Sequence, residues 1–164
     1  MITNPPWLLK AQSYVGTKEV PGPKSHSAII IGWLRDLNAW WSEDETPWCG
    51  TFVAHCIKAS NLPIPKLWFR AKEWANYGAH LRRDRLAPGA ILIFLRAGGG
   101  HVGFYVGEDD THYHVLGGNQ SNGVNVMRLA KARLLEARWP ANVPVISGPR
   151  FVSANGAKTS SNEA

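Results

Sequence analysis

PGAILIFLRAGGGHVGFYVGE, residues 88–108, decides the fold class. Pro88-Gly89 is a turn signal, and Ala90 to Leu95 is a short apolar, β-branched run of strand length. Ala97-Gly98-Gly99-Gly100 makes a flexible turn, and His101 to Val106 reads as the returning strand. Gly107 to Thr111 is the next hairpin loop. Thr111 to Leu116 and Val124 to Leu129 extend the meander, joined by the polar loop Gly117 to Gly123. A short helical piece over 130–137 and a final strand from Val143 to Val152 complete this half.

Upstream of Pro88 the period is helical. Over residues 5–16, Trp7, Leu8, Ala11, Tyr14 and Val15 share one face, and Gly16 suits a C-cap. The loop Val20-Pro21-Gly22-Pro23 leads to a second helix over 27–38, capped by Ser25 or Ser27, with an apolar run from Ala28 to Leu34. A loop from Trp40 to Glu45 follows. A third helix is expected from about Pro47 to Ser60. A fourth is expected from Leu67 to Tyr77, stopping at Gly78. Helices first and an antiparallel meander afterwards make an α+β fold.

The 164 residues suit one domain, with 45% hydrophobic and 18% charged residues giving a globular composition. The expected organisation is a single catalytic domain over 1–152 and a small, polar, disordered tail over 153–164. No apolar run approaches the ~18 residues of a membrane span. The first residues, MITNPPWLLK, have neither a basic start nor a long apolar stretch, so no signal peptide is expected. Eighteen basic against twelve acidic residues give +6, which favours a polyanionic partner. Arg82, Arg83 and Arg85 are the densest basic patch, most simply a solvated loop. Nothing resembles a nucleic-acid reading motif.

Two cysteines are too few for a disulfide scaffold. Thr46-Pro47-Trp48-Cys49 reads as a helix start, with Thr46 at the N-cap, Pro47 at N1 and Cys49 at N3. Free backbone N–H groups in a first turn favour a thiolate. Cys56 lies seven residues on, roughly 10 Å along the same helix, so the two cannot form a disulfide within it. Its apolar neighbours make it a structural thiol. His101 opens a strand between small residues, where its ring is approachable. Asn119, at the end of the following strand, could reach that ring, fix its tautomer and aim the other nitrogen at the thiol. Alone, each has a plainer reading: a core cysteine, a loop histidine, a turn asparagine. His112 and His114 alternate on one strand face, but no third ligand is spaced near them, so a surface polar role is expected and no metal.

With a thiol on a helix, a histidine opening a strand and an amide closing the next, the chain resembles the NlpC/P60 and CHAP superfamily of cysteine peptidoglycan hydrolases. It looks most like the phage endolysin-like members with DETPWC and GHVGFYVGE segments. The matching stretches are DETPWCGTF (44–52), PGAILIF (88–94), GHVGFYVGE (100–108) and LGGNQSN (116–122). Gly16-Thr17-Lys18-Glu19 and Pro21-Gly22 also fit. The resemblance implies a papain-like arrangement, with N-terminal helices packed on an antiparallel sheet or partly open barrel. It makes Cys49 the nucleophile, His101 the general base and acid, and Asn119 the orienting residue. Many CHAP domains carry glutamate two residues before this asparagine, where this chain has Gly117, and many NlpC/P60 members use a third histidine. Glu19, Gln120 and Asp44 are therefore also candidates near the site.

The resemblance further implies amide hydrolysis of peptidoglycan through an acyl-enzyme, with no metal or cofactor. The cut would fall within the stem peptide or at the muramoyl-L-alanine link. Trp48 and Trp41, with Glu19 and Gln120, are the expected substrate-binding residues, whereas Trp7, Trp33, Trp68 and Trp74 are expected in the core. The expected setting is a monomer held in a host cytoplasm before release, with no nucleic-acid partner and no stable membrane insertion. An effector injected into a rival cell is a variant of the same chemistry. An inactive wall-binding or tail-associated module on the same scaffold is the alternative.

Overall fold

The computed structural model describes residues 4–20, 27–42, 47–153 and 158–160. Among these residues, three α-helices precede the sheet: α1 (Pro6–Ser13), α2 (Ala28–Asp36) and α3 (Cys49–Ala59). Pro6 opens α1, where a missing N–H costs nothing, and Trp7, Leu8 and Ala11 turn inward. The Trp7 indole donates to the Gly89 carbonyl at 2.8 Å and meets Trp139 edge-on, tying α1 to the far end of the sheet. Ser27 caps α2 by accepting from the Ile30 N–H. The expected caps Ser25 and Thr46, the Pro21–Pro23 loop and Asp44 lie outside the described residues.

Helix α3 is the central element. Cys49 to Ala54, Cys56 and Ile57 are all buried, because α1 and α2 cover one side and the sheet covers the other. A helix apolar nearly all round is what such a position requires. No helix among the described residues is long and apolar enough to cross a membrane.

Among the described residues, seven strands form one sheet: β1 (Ala79–His80), β2 (Ile91–Arg96), β3 (Gly99–Glu108), β4 (His112–Gln120), β5 (Gly123–Ala130), β6 (Leu134–Trp139) and β7 (Lys158–Thr159). Their order is β1-β6-β2-β3-β4-β5-β7. All pairs are antiparallel except β5 with β7. The sheet stays open, with β1 and β7 at its edges, so the fold is α+β with helices on a sheet and no closed barrel. Lys158 and Thr159, within the tail segment, lie beside Met127 and Arg128.

Three local expectations differ from the structure. Residues 67–77 form turns and a 3-10 helix (Ala71–Asn76) in place of an α-helix. The Trp68 carbonyl, which a helix would need, accepts instead from the Trp74 indole at 3.0 Å. Over 130–137 only Lys131–Arg133 is helical. The chain then enters β6, where Leu134, Ala137 and Trp139 are buried around the exposed Leu135. Segment 143–152 forms no strand, since Pro144 and Pro149 remove ladder donors. Its one bridge joins Phe151 to Glu108.

The helical layer carries a half-buried titratable group. His55 on α3 faces Tyr14 and Trp33: Nε2 lies 2.8 Å from the Tyr14 hydroxyl, and the ring stacks on Trp33. Burial, reinforced by Lys10 and Lys58 and opposed by Asp36, lowers its pKa to about 4. The unfolded chain takes up this proton near pH 6.5, the folded chain only near 4. Stability is therefore full above pH 6.5 and falls as the pH drops toward 4. Melting curves across that range are expected to show the fall and His55→Gln to flatten it. Equal slopes in the two proteins would refute this assignment.

Candidate active site

Cys49, His101 and Gln120 meet where α3 crosses β3 and β4. The first α-helical bond of α3 runs from the Phe52 N–H to the Trp48 carbonyl, and Trp48 has φ −122° and ψ 19°. Cys49 is therefore the first helical residue, not the third. It remains in the first turn, among amides without intrahelical acceptors.

The thiol is buried, which alone would raise its pKa. Hydrogen bonding and charge from the His101 imidazole, together with the Val102 and Gly50 N–H groups, outweigh this. The net pKa lies below that of an ordinary thiol. Cys56 shows the opposite. It is buried in the core and its thiol is pushed far up by burial. Both cysteines are free.

His101 lies on β3 opposite Phe94 of β2. Its Nε2 is 3.0 Å from the Gln120 Oε1. The Gln120 amide cannot turn round. Its NH₂ donates to the Val115 carbonyl at 3.2 Å, the Asn125 carbonyl at 2.8 Å and the Asn125 Oδ1 at 3.1 Å. Oε1 therefore faces the ring and can only accept, so Nε2 carries a proton. Nδ1 is then the nitrogen that serves the thiol. The arrangement can hold a thiolate–imidazolium pair and aim it.

The side chain found on the ring is the neighbour of the expected one. Among the described residues, Gln120 and not Asn119 holds the imidazole. The register of β4 shifts between Gly117 and Gln120, and Asn119 sits at φ +59°. The distortion turns the Gln120 side chain inward. Gly117 makes the room: a Cβ there would lie 2.6 Å from the Gln120 Oε1 and 3.3 Å from the His101 Nε2. The bare glycine was the available signal, since it leaves an unfilled place beside the histidine.

The other expected contacts divide. Trp48 is 1% exposed and belongs to the core, packed beside Trp33. Its indole donates to the Glu19 Oε2 at 2.8 Å, so these two brace each other and do not line the cleft. Gln120 is fully buried behind the histidine and does not face substrate. Trp41 is half-buried and backs the cleft wall through Phe69 and Trp68, at 5.6 and 5.8 Å between ring centres. Trp40, 86% exposed, meets Trp41 edge-on and carries this aromatic run into solvent. Trp7, Trp33, Trp68 and Trp74 are core residues.

A cleft of about 390 Å³ opens at Cys49, walled by Pro47, Phe69 to Glu73, Arg96, Gly99 and Gly100. The wall is fixed to the nucleophile through Gly50, where a Cβ would collide with the Trp68 carbonyl oxygen. No group of three or more possible metal ligands occurs among the described residues. His114 is buried, not on the surface, and its Nε2 lies 2.8 Å from the Asp109 Oδ2. Arg128 pairs with the same carboxylate and also approaches His112.

Residues 41–119 match the family model of the CHAP domain. The match takes in Cys49, His101 and Asn119 and ends one residue before Gln120. It supports a cysteine hydrolase of the CHAP and NlpC/P60 type, with a hydrolase or amidase activity on peptidoglycan. No curated protein matches the chain.

Proposed function

We propose that this CHAP-type chain is an endolysin-like peptidoglycan hydrolase that cuts an amide of the stem peptide or the muramoyl-L-alanine link. The observation that carries the reading is the thiol of Cys49, lowered in pKa by an imidazole that Gln120 holds in one tautomer, at the floor of an open cleft. The Cys49 thiolate attacks the amide carbonyl. The oxyanion is held by the Cys49 backbone N–H, which lies in the first turn of α3, and one further donor. The His101 imidazolium protonates the leaving amine, leaving an acyl-enzyme, and the neutral ring then activates water to release the acid. The Trp40–Trp41–Phe69 run offers apolar faces against which glycan rings can pack. The proposed setting is a host cytoplasm before phage release.

Mass spectrometry of purified peptidoglycan after digestion tests this directly. Soluble fragments with one new amine and one new carboxylate per cut are expected, and their masses identify the bond. Walls left intact by the reduced protein would overturn the reading.

A further inference from the structure

The charged residues of the cleft wall are unbalanced. Arg70, Lys72 and Arg96 stand against the single carboxylate of Glu73, a net of 3 − 1 = +2. Among the described residues, none of the three cations is in an ion pair. Two of them converge on the residue before the catalytic histidine. The Arg96 Nε donates to the Gly100 carbonyl at 3.0 Å, and its Nη1 to the Ala97 carbonyl at 3.3 Å. Lys72 lies across the same glycine, since a Cβ on Gly100 would come within 2.9 Å of the Lys72 Cγ. The Arg70 guanidinium rests 5.8 Å from the centre of the Phe69 ring. The cations are thus seated by carbonyls, a glycine and an aromatic face, and their charges are left for something that enters the cleft.

We propose that Arg70, Lys72 and Arg96 form a carboxylate-reading subsite that selects substrates bearing a free carboxylate close to the scissile amide over their amidated counterparts. This rests on the hydrolase reading for its substrate but not for its test. Arginine binds a carboxylate with two parallel N–H donors, and lysine adds a point charge. An uncharged amide at the same place satisfies neither. Glu73 gives the wall a repulsive element against a second carboxylate there.

Two measurements test it. In the first, reduced protein is alkylated with iodoacetate and, separately, with iodoacetamide. Both reagents react at the Cys49 sulfur, and only the first carries a carboxylate. The His101 charge favours iodoacetate in every variant, so the comparison is between proteins. Lys72→Gln and Arg70→Gln are each expected to lower the iodoacetate-to-iodoacetamide rate ratio by roughly three- to tenfold, with iodoacetamide rates held. Lys72→Glu should lower it further. Arg70 and Lys72 are exposed, so these changes leave the core intact. A ratio unchanged in all variants would overturn the subsite.

In the second, synthetic stem-peptide fragments are compared that differ only in one carboxylate, free or amidated. A preference for the free acid that appears in KM, weakens with salt and shrinks in the same variants supports the proposal. Equal KM for the two fragments would overturn it. If the alkylation ratios fall as expected but no fragment is cut, the subsite stands and the hydrolase reading fails.

Discussion

Cys49→Ala is expected to abolish wall hydrolysis, with a loss on the order of 10⁶-fold, while Cys56→Ala retains activity. The two thiols differ in every respect that governs reactivity. Cys49 lines the cleft, and its pKa lies below the ordinary thiol value despite burial. Cys56 is enclosed by the core, and its pKa is driven upward. Removing the first removes the attacking atom. Removing the second leaves a small void two turns along the helix, which costs stability and not chemistry. Alkylation sharpens the contrast. The rate at Cys49 should rise with pH and level off below the pH at which a free thiol levels off, because the thiolate is already formed there. A clearing zone from Cys49→Ala equal to wild type would end the nucleophile assignment.

Gln120→Ala is expected to lower kcat by about 10²-fold or more with little change in KM, because general acid–base catalysis of this size depends on an aimed ring. Gln120 is buried and touches the histidine, so its loss should not weaken substrate binding. Asn119 needs a different substitution. At φ +59° an alanine would be strained, whereas glycine accepts that conformation. Asn119→Gly is therefore expected to stay within severalfold of wild type. Should Asn119→Gly lose 10²-fold in kcat while Gln120→Ala loses little, the orienting role passes back to Asn119. A carboxylate at 120 is a poor replacement. It would turn an oxygen toward the Val115 and Asn125 carbonyls, which now accept from the Gln120 NH₂.

These two results also mark where sequence reading reaches and where it stops. The change of period at Pro88 reveals helices followed by an antiparallel meander, because periods of 3.6 and 2.0 are properties of local geometry. Cys49 and His101 are legible for a similar reason: one begins an apolar helix and the other follows a glycine-rich turn. The choice between Asn119 and Gln120 is not. Successive residues in a strand face opposite sides, so a distortion at Gly117 to Gln120 reverses which of two neighbours meets the ring. Trp48 misleads in the same way. Its place beside Cys49 suggests a cleft wall, but a helix start two residues later than Thr46 and Pro47 imply directs it into the core. Segment 67–77 was obscured by an indole donor six residues away, an interaction that helical periodicity does not register.

The backbone seam at Gly50 separates two jobs that a single cleft must do. At Gly50 the nucleophile's helix and the rim meet through a glycine and the Trp68 carbonyl, a contact between backbones. Arg70, Lys72 and Glu73 can then be exchanged without loosening the seam that sets Cys49 against its wall. The molecule is in that sense a holder with replaceable jaws. If the proposed subsite reads the substrate, surface substitutions there change the choice of target while Cys49 keeps its place.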